Sequence, residues 1–63
     1  MTEFDLAKMK FRHWLYANGG PEYAPADRMD RRVREIAVEY SLTREQLQYF
    51  LNRVNLIVIR RTT

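Results

Sequence analysis

Few side chains in this 63-residue chain could make or break bonds, and their spacing brings none of them together. Its single serine, Ser41, and single histidine, His13, belong to different stretches, and there is no cysteine. A serine nucleophile needs a base within hydrogen-bond reach, and a metal needs a cluster of ligands. Neither pattern is written here, and no glycine-rich phosphate loop or pair of carboxylates stands in for them. A lone histidine on a helix is read as a packing or surface residue. A chain of this size also has little volume for a substrate pocket. The expectation is therefore a non-enzyme with no cofactor, no metal and no small-molecule substrate.

The chemistry that remains is electrostatic and hydrogen-bonding. Residues 1–39 hold seven basic and seven acidic groups, whereas residues 40–63 hold Arg44, Arg53, Arg60 and Arg61 against Glu45 alone, which places the whole net charge of +3 in that last segment. Such asymmetry points to a polyanionic partner, although three charges are a small footprint beside the basic stripes of strong nucleic-acid binders. Arg28, Arg31, Arg32 and Arg34 look like a second patch. Asp27 and Asp30 stand four residues before Arg31 and Arg34, and Glu35 and Glu39 are close by, so local neutralisation is the better reading. Arg28 and Arg32 remain the candidates there for phosphate or an acidic partner.

Length and composition bound the rest. At this size the chain forms one small domain with a thin core, burying about 60% of its unfolded surface. Without cysteine it has no disulfide framework and needs no oxidising compartment, which suits a cytoplasmic protein. No apolar run is long enough to span a membrane, and the charged N-terminus is not that of a signal peptide.

Three helices must position these groups. Thr2 caps the first, with Asp5 as its reciprocal partner; Phe4, Ala7, Phe11, Trp14 and Leu15 recur on one face until Asn18-Gly19-Gly20-Pro21 ends it near residue 17 or 18. Leu6, Met9 and Tyr16 add a flanking apolar stripe that one small core cannot easily cover. Residues 19–26 read as a linker stiffened by two prolines. Asp27 is the expected cap of a second helix near 28–40, with Met29, Val33, Ile36, Ala37 and Tyr40 on its core side. Its phase breaks at Ser41-Leu42-Thr43, and Thr43 caps a third helix that turns Leu47, Phe50, Leu51 and Val54 inward. The run Leu56-Ile57-Val58-Ile59 fits either a short strand or an extension of this helix, because four apolar residues have no readable period. The fold class is all-α, a single domain over 1–63 with a C-terminal apolar tail.

Two amphipathic helices meeting at a tight corner, with small Ala37 where they approach and Leu47 and Phe50 ten and thirteen residues beyond it, form the pattern of a helix-turn-helix. Over residues 33–52 the chain resembles the helix-turn-helix family of DNA-binding domains: Arg34-Glu35-Ile36-Ala37, a turn, then Ser41-Leu42-Thr43 has the texture of transcriptional regulators and sigma-type factors. It departs from the family at the corner, where Ser41 stands in place of the usual glycine. The resemblance implies that the third helix enters the major groove of duplex DNA and that its outward residues Thr43, Arg44, Glu45, Gln48, Tyr49 and Asn52 read the site. Arg44 would take guanine or a phosphate, Gln48 and Asn52 adenine, Glu45 cytosine, and Thr43 and Tyr49 phosphate, while Arg53, Arg60 and Arg61 would add sequence-independent attraction.

The expectation is thus a small sequence-specific DNA-binding regulator of transcription, with homodimerisation through the first helix and the tail. A rival reading uses the same fold as a phage- or plasmid-type inhibitor or adaptor that binds a larger protein. Its candidate interface is Leu6, Met9, Tyr16, Tyr23, Ile57 and Ile59, and Tyr49 is a further aromatic anchor.

Overall fold

A computed structural model describes residues 1–62. It is all-helical, with the order α1 (Glu3–Ala17), α2 (Gly20–Tyr23), α3 (Ala26–Glu39) and α4 (Arg44–Thr62). The first helix begins as its sequence prescribes. The Asp5 N–H donates to the Thr2 hydroxyl at 3.1 Å, and the Asp5 carboxylate accepts from the Thr2 backbone N–H at 3.2 Å, a reciprocal cap. Hydrogen bonds from the Thr2 hydroxyl and then from its N–H hold the Asp5 carboxyl below the usual carboxylate range, and the Lys8 charge adds a smaller pull. At the other end the Asn18 side chain donates to the Trp14 carbonyl at 2.8 Å, and Gly19 follows at φ 108°, a left-handed turn suited to glycine.

The stretch expected to be a plain linker holds the one-turn helix α2. Pro21 stands in its first turn, where the fixed φ suits a helix and the missing N–H costs nothing, and the Ala24 N–H closes the turn on the Gly20 carbonyl at 2.9 Å. Four helices therefore form among the described residues, where three were expected. Helix α3 starts two residues before the expected position, because extended Pro25 takes the N-cap and its carbonyl accepts from the Met29 N–H. Asp27 consequently lies in the first turn instead of capping it, where its charge still suits the helix dipole. The charge ladder forms in part: Asp30 meets Arg34 at 3.1 Å and Glu35 meets Arg32 at 3.6 Å.

The corner between α3 and α4 is closed by backbone bonds. The Leu42 N–H reaches the Ala37 carbonyl at 2.9 Å and the Ser41 N–H reaches that of Val38 at 3.2 Å, the two bonds of a Schellman ending. This geometry demands a left-handed residue, and Ser41 supplies it at φ 52°. Thr43 then starts α4 with a second reciprocal cap: the Gln46 N–H donates to the Thr43 hydroxyl at 3.1 Å, and the Gln46 side chain accepts from the Thr43 N–H at 2.9 Å.

The apolar tail is helix throughout, so the strand alternative for residues 56–59 is overturned. Ile57 and Val58 fall on the side of α4 that carries Phe50 and Val54, and packing against the core overrides their β-branched preference. Phe50, Met29, Ile36 and Val33 are the largest fully buried side chains, and no polar or charged residue is buried among the described residues. Helix α3 packs against both α1 and α4. Helices α1 and α4 meet through aromatic rings, with Phe50 edge-on to Phe4 at 5.7 Å and to Phe11 at 5.8 Å.

Replacing Ser41 by glycine should raise stability by about 0.5–1 kcal/mol, since glycine adopts the left-handed corner without strain and loses only part of that gain to unfolded-chain entropy. Urea unfolding checks this; a lower midpoint in Ser41→Gly would show that the serine is accommodated without cost.

Candidate functional site

With Leu47, Phe50, Val54 and Val58 turned to the core, helix α4 has two remaining sides, and the predicted site residues divide between them. Arg44, Glu45, Gln48 and Asn52 are exposed together on the outer side of its first three turns. The Gln48 amide donates to the Asn52 side-chain carbonyl at 2.9 Å, so the pair presents a linked strip of amide donors and acceptors. Thr43 is exposed beside them, but its hydroxyl oxygen already accepts the capping hydrogen bond of α4.

Other predicted contacts go elsewhere. Tyr49 and Arg53 lie on the side of α4 that faces α1 and line a groove between the two helices, together with Arg60. Tyr49 is 41% exposed yet well packed: its ring stands edge-on to Phe4 at 5.3 Å and to Phe50 at 5.6 Å, with the Lys8 ammonium 5.7 Å from its centre. Its ring is part of the packing between α1 and α4, which helical spacing alone does not show. Arg61 donates from Nε to the Pro21 carbonyl at 2.8 Å, tying the end of α4 to α2. Arg32 is half-buried, its guanidinium 3.6 Å from Glu35 and its Nε buried without a hydrogen-bond partner. Arg28 is exposed.

Of the predicted protein-contact residues, Leu6, Met9, Tyr16, Tyr23 and Ile59 are exposed, whereas Ile57 is half-buried against the core because α4 continues through it. Exposed Val38 was not among those candidates, and exposed Leu56 was named only within the tail. Lys8 and Arg12 were also missed: they stand four apart on α1, a spacing visible in the sequence, but only the packing of α1 beside α4 reveals that they share the groove of Arg53. His13 is exposed on α1 and Ser41 is fixed in the corner between α3 and α4. Among the described residues no group of three or more His, Asp or Glu side chains could hold a metal ion.

The packing of Tyr49 leads to a stability prediction. Tyr49→Ala should cost about 1–2 kcal/mol by removing two edge-on ring contacts, and Tyr49→Phe should be near neutral. Thermal unfolding of both variants tests this, and an equal loss in the two would assign the effect to the phenol oxygen instead of the ring.

No protein-family model, curated protein or solved structure matches this chain.

Proposed function

We propose that the chain is a small duplex DNA-binding regulator in which α3 and α4 act as a helix-turn-helix and the outer side of α4 enters the major groove. The observation that carries this reading is the common exposure of Arg44, Glu45, Gln48 and Asn52 on the first three turns of a helix whose opposite side is locked by α3. A groove about 12 Å wide admits such a helix. Arg44 is the residue for guanine O6 and N7 or a phosphate, Gln48 and Asn52 suit adenine, and Glu45 suits the cytosine amino group. Helix α3 would cross the backbone and hold α4 at its angle. The corner supports the reading through its short connection, Tyr40 to Thr43, and its two sets of capping hydrogen bonds. A dimer built through exposed residues of α1 and the end of α4 would set the spacing of two half-sites.

The rival reading, an inhibitor or adaptor that occupies a larger protein, draws on one specific observation. Leu6, Met9, Tyr16, Tyr23, Val38, Leu56 and Ile59 are all exposed.

The double substitution Arg44→Ala with Gln48→Ala separates the two. Against a duplex selected from a random library, the variant should bind at least about tenfold more weakly with unchanged far-UV circular dichroism, because each lost bidentate base contact is worth roughly 1–3 kcal/mol. Unchanged affinity would sink the assignment of α4 as the reading helix.

A further inference from the structure

The side of α4 that faces α1, which carries Tyr49, Arg53 and Arg60 and none of the exposed strip Arg44, Glu45, Gln48 and Asn52, forms a second surface. Between α1 and α4 runs a groove of about 380 Å³. Its base is apolar, formed by the buried Phe11 and Leu15 and extended by the exposed Leu56, and its edges carry Lys8, Arg12 and Arg53. No acidic side chain among the described residues lines it, although the chain has eight acids in all. Lys8 is partly engaged, 3.8 Å from Asp5 and 4.6 Å above the Phe4 ring. Arg12 and Arg53, one on each helix, form no ion pair among the described residues.

We infer that this groove docks an acidic amphipathic segment of a partner protein. Charge complementarity selects the occupant. Two unpaired guanidinium groups flank an apolar base, so the matching ligand offers carboxylates at its edges and apolar side chains between them, as a helix with Glu or Asp beside a Leu stripe does. A bare phosphate would satisfy the cations but gain nothing from Phe11, Leu15 and Leu56. A nucleic-acid backbone has the same shortcoming, since it would cover the exposed leucine with polar surface. A second copy of this chain fits less well: its acids on α3 are interleaved with Arg31, Arg32 and Arg34, and apposed grooves would bring cations against cations. The inference is separable from base reading by α4, because Arg44, Gln48 and Asn52 are not among the residues that line the groove; it competes with a dimer built across α1 and the end of α4, which a measurement of chain mass distinguishes.

The test uses the full chain and a labelled helical peptide of about 14 residues, four turns long, with one Leu stripe flanked by Glu. Comparator peptides replace every Glu by Lys or every Leu by Ala. Fluorescence anisotropy at low and moderate salt should show binding of the Glu/Leu peptide alone. Binding should weaken by about tenfold or more in Arg12→Glu with Arg53→Glu, and remain unchanged in Arg44→Ala with Gln48→Ala. Arg12→Ala with Arg53→Ala should fall between, which guards against a folding defect from charge reversal; circular dichroism is recorded for each variant. Equal binding of the Lys/Leu peptide, indifference to both arginine pairs, or no peptide binding at all would overturn the inference. A labelled duplex whose binding is lost with Arg12 and Arg53 while the peptide does not bind would give the groove to nucleic acid. A chain mass that doubles only when those arginines are present would give it to a second copy. Loss of duplex binding in the Arg44 and Gln48 variant bears on the DNA proposal alone.

Discussion

Phe50 is almost completely withdrawn from solvent where α1, α3 and α4 converge, and its ring stands edge-on to Phe4, Phe11 and Tyr49. In so short a chain the core is a single layer, and one aromatic ring of this kind supplies a large share of what holds the helices together, about 1.5–3 kcal/mol from burial alone. The constraint acts on the three long helices. It requires α1 to present Phe4 and Phe11 at one spacing, and α3 to fill the remaining volume with Met29, Val33 and Ile36. It also fixes the rotation of α4 about its own axis, and with that rotation the direction of every other side chain on the helix.

That rotation makes the molecule two-sided. With Phe50 and Val54 inward, Arg44, Gln48 and Asn52 turn to the open solvent, while Tyr49, Arg53 and Leu56 turn toward α1. The two sides differ chemically. The outer one is a polar strip of amides with one cation and one anion, suited to hydrogen-bonded recognition. The one facing α1 is cationic and apolar at once, suited to a partner that is acidic and apolar. On the outer strip Arg44 and Glu45 cancel, and the chain as a whole carries only +3, so specificity on either side must come from local geometry more than from long-range attraction.

The helices were legible where local chemistry decides them. Thr2 with Asp5 marked the start of α1, Asn18 to Gly20 its end, and Thr43 the start of α4, because capping side chains and left-handed glycines act within a few residues of sequence. Non-local effects were not legible. Ala24, which closes the one-turn α2, is fully buried in the core, a burial its own segment does not announce, and the helical state of Ile57 and Val58 depends on a core that their β-branched side chains do not announce. The exposed strip of Arg44, Glu45, Gln48 and Asn52 followed from helical period once the start of α4 was known. The groove did not, since Lys8 and Arg12 acquire meaning only when α1 lies beside α4, a tertiary fact with no trace in either segment. Ser41 sits between these cases: its replacement of the usual glycine was visible in the sequence, and the structure shows that the serine takes the left-handed conformation itself.

The central claim, that the exposed side of α4 binds duplex DNA, is tested most directly by fluorescence anisotropy of a labelled random duplex titrated with the wild-type chain over a range of salt, with its mass checked on the same sample. Association through phosphates predicts an affinity whose logarithm falls linearly with the logarithm of salt concentration, at a slope of about −0.9 for each phosphate contacted. A duplex that stays unbound even at low salt would contradict the account and turn attention to protein partners.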